Sequence, residues 1–302
     1  MKTKLFIQTA GAAAAAAVIA AVLTATFAAC APKKPAFEAK TEITVISRED
    51  GSGTRGAFIE LFEIEMKNAD GTRKDLTTKE AVVARQTDIV MGNVAGNKYA
   101  IGYISLGSLN STVKALAIGG ADATPENVRQ GKYTIARPFY IAVKDDAGGA
   151  ANPLAEDFIA FILSAEGQAV VGKGYIPLES AGAWSADAAV TGKVVVAGSS
   201  SVTPVMEKLR EAYIAQKSGA VIEIQQSDSS AGLVSLAAGA CDIAMVSREL
   251  KPAEKEKARP IQIATDGIAV IVNNENPLSA LNKELVKAIY TGRLTRWEEA
   301  GQ

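Results

Sequence analysis

Seven short runs of apolar, mostly β-branched residues punctuate the chain: ITVI at 43–46, AIGYISL at 100–106, FYIAVK at 139–144, KVVVAG at 193–198, VIEIQQ at 221–226, DIAMVS at 242–247 and IQIATDGIAVIVN at 261–273. Longer segments with helical spacing separate them, so the pattern predicts an α/β fold. Phe58, Leu61, Phe62 and Met66 fall on one face of a helix expected over 56–67, and Val205, Leu209 and Tyr213 on one face of another over 204–216. Pro204 suits the first turn of the second, where its missing N–H costs nothing. Leu281, Leu285 and Ile289 stack at spacing four in a C-terminal stretch that also reads as helix. Residues 184–193, WSADAAVTGK, have the composition of a linker or surface turn. With 302 residues, 48% hydrophobic and 22% charged, the chain can build one large domain or two lobes of ordinary size.

Three of the runs lead into serine-rich turns that precede helices. Ser52, Gly53 and Thr54 follow the first, Ser199, Ser200 and Ser201 the second, and Ser229 and Ser230 the third. Each turn presents backbone N–H groups and hydroxyls, and the helix behind it adds partial positive charge, so each suits an oxyanion. A single such turn has an ordinary reading as a helix cap; three in one chain favour a site. Arg48 stands at a strand end just before one of them, where a guanidinium can grip tetrahedral oxygens with two donors. Its other reading is a surface arginine paired with Glu49 or Asp50. The Asp50 carboxylate has only acceptors, so facing the anion it would reward a protonated oxyanion such as phosphate over sulfate.

Histidine does not occur anywhere in the chain. That removes the usual general base, the commonest metal ligand and every Ser-His or Cys-His arrangement. Neither a GxxxxGK[ST] loop nor a GxSxG elbow is present, so no enzyme chemistry, cofactor or metal is expected. The first 30 residues differ from the rest: Lys2 and Lys4, an alanine-rich apolar run to Ala29, then Cys30 in FAAC. This is the pattern of a secretory signal, and it is similar to the bacterial lipoprotein signal in which the cysteine carries the lipid. Residues 31–40 would be a tether. Without Lys2 and Lys4 the formal charge moves from -1 to about -3, which implies no basic surface for nucleic acid. Cys241 reads as a small buried hydrophobe.

SREDGSGTR with its helix, AIGYISLG, NVRQGKYTIARPFYIAVK and FILSAEGQAVVGKGYIPL resemble the second half of the phosphate-binding proteins of bacterial phosphate ABC transporters. VVVAGSSSVTPVMEKL, DIAMVSREL, IATDGIAVIVNNENP and IYTGRLTRWEEAG resemble their first half. The halves stand in reversed order, as in a circular permutation, which a truncated gene would also produce. The resemblance implies a two-lobed periplasmic-binding-protein fold of type II, with a hinge of two crossing strands. Residues 41–136 with 274–302 would form the lobe carrying SREDGSGTR, and 137–273 the second lobe with the hinge strands.

Carried over by motif, the expected ligand residues are Arg48, Asp50, Ser52, Gly53 and Thr54 from one lobe and Ser201, Val202, Ser229 and Ser247 from the other. Arg48 would neutralise charge, Asp50 accept the ligand proton, and the others donate. Asp228 and Ala231 stand where glycines are common in the family, and Asp228 is expected to cap the helix behind it. Ser247 stands where some relatives have an acid. The implied role is a monomeric, lipid-anchored receptor on the outer face of the cell membrane that delivers inorganic phosphate to permease subunits. Two other readings stay open: a binder of another oxyanion or phosphorylated metabolite, and a surface sensor or interaction protein whose lobes no longer close on a ligand.

Overall fold

The computed structural model describes residues 36–68, 73–144, 152–187 and 189–301; the expected signal segment, Cys30 and residues 31–35 of the tether lie outside them. The α/β alternation is realised. In chain order the main elements are β1 (Thr44–Arg48), α1 (Gly53–Leu61), β2 (Val82–Ala84), α2 (Thr87–Gly96), β3 (Ala100–Ser105), β4 (Ala136–Lys144), α3 (Pro153–Leu163) and α4 (Ala165–Val171). They continue with β5 (Gly192–Ser199), α5 (Thr203–Ile214), β6 (Ala220–Ser227), α6 (Ser229–Ala237), β7 (Ile243–Val246), β8 (Ala258–Val272) and α7 (Lys283–Tyr290). All seven apolar runs of the sequence fall on these strands.

The strands lie in the order β6-β5-β7-β4-β8-β3-β1-β2. At one end β1 runs parallel between β2 and β3, and at the other β5 runs parallel between β6 and β7. Strand β8 joins them, pairing antiparallel with β4 from Ala258 to Gly267 and then with β3 from Ile268 to Val272. One strand thus serves two sheets, and the change of partner marks a crossing between two lobes. In both lobes the carboxyl ends of parallel strands lead into helices, the place where open α/β sheets build ligand sites.

Each lobe has its own core. In the first, Phe58 stacks on Tyr103 at 3.9 Å between ring centroids, with Phe62 at 4.6 Å and Tyr290 at 4.7 Å from Phe58. In the second, Phe139, Phe158, Phe161, Val205, Leu209 and Tyr213 are fully buried, and the α5 face expected from the sequence is the buried one. Cys241 is buried, as its apolar setting implied.

Two helices differ from expectation. The one expected over 56–67 ends at Leu61, because the chain turns left-handed at Glu63 (φ 55°) and Met66, about half exposed, joins a short strand paired with Arg73–Asp75. The C-terminal stretch breaks into pieces. Leu281 lies in a two-residue strand, Asn282 caps α7 by accepting from the Leu285 N–H, and the buried face is Val286, Ile289 and Tyr290.

Residues 184–187 and 189–191 form an exposed connection, as read, but one that is pinned. Trp184 packs on Phe161 with 5.1 Å between ring centroids and donates to Asp157, while the Lys217 ammonium bridges Asp157 at 2.7 Å and the Asp187 carbonyl at 2.8 Å. Residues 39–43 and 295–298, near the two ends of the described chain, are neighbours: Ile43 N–H donates to the Thr295 carbonyl and Glu298 N–H to the Ala39 carbonyl, both at 2.8 Å.

Candidate functional site

At the end of β1, Arg48 is only 2% exposed. A buried guanidinium without a counter-charge is strongly unfavourable. Glu49 supplies that charge, accepting from Nε at 2.8 Å and from Nη2 at 2.7 Å. Of the two acids offered as its partner by sequence, Glu49 is the one used. With one edge of the fork held this way, Nη2 also donates to Ser200 Oγ at 3.1 Å, and Nη1 reaches Thr87 Oγ1 at 3.5 Å. The aromatic core fixes the strand from behind, since the Tyr103 hydroxyl accepts from the Arg48 N–H and bonds Ser47 Oγ, each at 3.0 Å. Burial pushes the Tyr103 phenol upward, keeping it neutral.

Hydroxyls from both lobes converge beside this guanidinium. Thr54 Oγ1 lies 2.7 Å from Ser201 Oγ across the cleft, and Thr87 Oγ1 lies 3.3 Å from both Ser200 and Ser201. Ser199 donates to Ser247 at 2.9 Å, and Ser229 Oγ accepts from the Ser247 N–H at 3.1 Å. All of these residues are buried. Thr54, Thr87, Ser200, Ser201 and Ser229 sit at or next to the N-termini of four helices, α1 and α2 from the first lobe and α5 and α6 from the second, while Ser199 ends β5 and Ser247 follows β7. Four helix ends and one cation make this a positive point lined with donors.

Gly53 is what permits the lobes to meet. A Cβ there would lie 2.5 Å from Ser229 Oγ and 2.6 Å from Ser247 Oγ. Ser230 closes the same seam, its N–H and hydroxyl donating to the Gly51 carbonyl at 3.3 and 3.2 Å. Outside the cluster, a groove of about 530 Å³ runs between α1 and residues 248–252 and spans the two lobes.

Behind the site, at the strand crossing, Arg137 donates to the Ser247 carbonyl at 2.9 Å and pairs with Asp266 at 3.4 Å, both side chains being fully enclosed. Asp266 also accepts from Ser105 Oγ at 2.9 Å, so this ion pair links a first-lobe strand to Ser247 of the second-lobe cluster. Burial outweighs the mutual attraction: it pushes Asp266 up to about 6 and Arg137 down to about 10.

Most residues expected from the sequence are here. Arg48, Gly53, Thr54, Ser201, Ser229 and Ser247 come together, and Ser52 is the buried cap of α1, accepting from the Arg55 N–H. Asp50 is not brought into the cluster: its side chain is 98% exposed and lies 3.5 Å from Arg55. Val202 lies beside the cluster. Its N–H is engaged by the Ser199 carbonyl and its side chain lies in the core, so it closes the turn without facing the cluster. Asp228 caps α6 as expected, accepting from the Ala231 N–H at 2.8 Å. Sequence reasoning missed Thr87 as a cluster member, and it read Ser199 and Ser200 in an oxyanion-suited turn without carrying them over as ligand residues. Gln-Thr-Asp at 86–88 opening a helix was the available signal for Thr87.

Residues 10–166 and 183–302 match the family model of the PBP superfamily domain. The chain is 51% identical over 262 residues to the phosphate-binding protein PstS 2 of Streptococcus agalactiae, covering 86% of this chain and 88% of that one. The chain belongs to the PstS family. A second PstS 2, from Streptococcus pneumoniae, is 43% identical over 259 residues, with 85% and 87% covered. The crystal structure of a phosphate-binding protein of a phosphate ABC transporter from S. pneumoniae superimposes with a TM-score of 0.66 at 42% identity, over 86% of this chain and all of that one. The two-lobed fold is thus the PBP fold. Among the described residues of this PstS chain, no group of cysteine and acidic side chains is arranged to hold a metal ion, and no helix is long and apolar enough to cross a membrane.

Proposed function

We propose that this protein captures inorganic phosphate between its lobes and hands it to an ABC transporter. The observation that carries the reading is the buried meeting of Arg48 with hydroxyls of both lobes at four helix N-termini. Arg48 neutralises charge; Ser52, Gly53, Thr54 and Thr87 contribute from one lobe and Ser200, Ser201, Ser229 and Ser247 from the other. The lobes are 41–136 with 274–302, and 137–273 including the crossing strands. The proposed activity is binding and release, without chemistry on the anion. Titration calorimetry of the full chain in mild detergent, stripped of bound anion, tests it: phosphate binds one to one, and a folded protein that takes up no phosphate refutes the assignment.

The same reading places the protein outside the cytoplasm as a monomer anchored by lipid on Cys30. Replacing Cys30 by Ala should move it from the membrane fraction to the soluble one, and a variant that stays with the membrane refutes the anchor. The reversed order of the halves is read as a circular permutation. The contacts of residues 39–43 with 295–298, and the exposed connection near 184–191, support this, since permutation is tolerated where chain ends lie close together at the surface.

A further inference from the structure

The adjacent serines that open α6 do different things. Ser229 is fully buried in the cluster, where its Oγ accepts from the Ser247 N–H. Ser230 turns the other way and reaches across the seam between the lobes, its N–H and Oγ donating to the Gly51 carbonyl at 3.3 and 3.2 Å. Among the described residues, Ser230 bonds none of the cluster hydroxyls. The lobes come this close because residue 51 is a glycine: a Cβ there would lie 2.3 Å from Asp228 Oδ1, and Asp228 is fixed as the cap of α6.

A chain of charged groups on the second lobe stands behind Ser230. Arg248 Nη2 donates to Ser230 Oγ at 3.1 Å. A hydroxyl has one proton and two lone pairs, so accepting from a cation leaves that proton for the Gly51 carbonyl and strengthens it as a donor. Arg248 is itself held: Glu254 accepts from its two terminal nitrogens at 2.7 and 2.8 Å, and the Glu249 carbonyl accepts from Nη1 at 2.9 Å. Glu254 is fixed in turn by the Lys251 N–H at 2.7 Å, at the start of the short helix Pro252–Lys255. The Arg248 and Glu254 side chains are 11% and 20% exposed, so salt screens the pair less than it would at the open surface. The stem of Arg248 also lies along the first lobe, since a Cβ on Gly56 of α1 would be 3.5 Å from its Cδ.

We propose that Glu254, Arg248 and Ser230 form a latch that grips the first lobe at Gly51, slows reopening of the cleft and so sets the rate at which the anion leaves. They are positioning residues, acting on the lobes and not on the ligand. This rests on reading the cluster as the phosphate site. A contact made only when the lobes meet stabilises the closed state alone, so its loss is felt in release and not in encounter.

The test is the rate at which radiolabelled phosphate leaves the full chain in mild detergent when chased with excess unlabelled phosphate, read beside the calorimetric affinity. Ser230→Ala should speed release about tenfold and weaken affinity by the same factor, so that the association rate is unchanged. Asp228 still caps α6 in this variant, which keeps the helix start. Ser230→Thr retains the hydroxyl and should release at the wild-type rate. Arg248→Gln should also speed release about tenfold, and the double variant should be no faster than the faster single one, because both act through one hydroxyl. Release from Ser230→Ala less than about twofold faster than wild type, below the weakest such bond, overturns the latch and leaves phosphate capture standing. So does a loss that Ser230→Thr shares, wild-type release from Arg248→Gln, additive effects in the double variant, or a change confined to association. A folded wild-type protein that takes up no phosphate refutes the site reading and the latch together.

Discussion

The two lobes contribute different chemistry to one point. The first supplies the charge, a buried arginine clamped by Glu49 and backed by the Tyr103 hydroxyl and a stack of aromatic rings. The second supplies serine hydroxyls on three strand-to-helix turns, and among the described residues none of its cations bonds the hydroxyls of Ser199, Ser200, Ser201, Ser229 or Ser247. A rigid charge on one side and adjustable donors on the other make each half incomplete. Affinity then depends on closure, which is how a two-lobed receptor couples binding to a change of shape.

The sharpest way to break this asymmetry is Arg48→Ala. It removes the only guanidinium among the described residues that bonds the cluster hydroxyls and strands Glu49, and the expected loss of phosphate affinity is roughly a thousandfold, about 4 kcal/mol, with the fold retained by circular dichroism. Gly53→Ala attacks the meeting of the lobes and not their chemistry. A methyl within 2.6 Å of two second-lobe hydroxyls forces the cleft apart, and calorimetry should show about a hundredfold weaker binding, in line with the 1–3 kcal/mol of overpacking.

A matched pair sharpens the comparison further. Thr54→Val and Ser201→Ala remove the two hydroxyls that meet at 2.7 Å, and each should cost about tenfold in affinity, near 1–1.5 kcal/mol. The double variant should lose less than the sum, because both act on one contact.

The smallest effect concerns the crossing that joins the lobes. Asp266 holds its proton up to about pH 6 when folded, against an ordinary value of 3.8. The folded state therefore binds more protons than the unfolded state between about pH 4 and 6, and this group's contribution to stability is present below that window and lost as pH rises through it. Urea midpoints across the window should fall for wild type relative to Asp266→Asn, and parallel curves would remove Asp266 as the source.

Much of this was legible before any coordinates. Alternation of β-branched runs with helical spacing announced the fold, because period and burial are local consequences of each element's geometry. The Ser, Thr and Gly turns announced the site, since a helix start needs such residues whether or not it binds anything. What was not legible turns on single dihedrals and distant pairings. In Arg48-Glu49-Asp50 the order of acids does not say which one turns inward, and the structure chose Glu49. Thr87 looked like any helix opener until the cleft closed over it.

By itself, then, the sequence determined the elements, the Arg48 and serine chemistry and the family, all of which reside in short contiguous motifs. Only the tertiary structure decided that Asp50 faces water, that Gly53 must stay bare for the lobes to meet, and that Arg137 and Asp266, 129 positions apart, are joined behind Ser247. Those outcomes depend on which surfaces are brought together, and burial, which sets both the value of a charge and the room for a methyl group, is a property of the packed chain and of no segment within it.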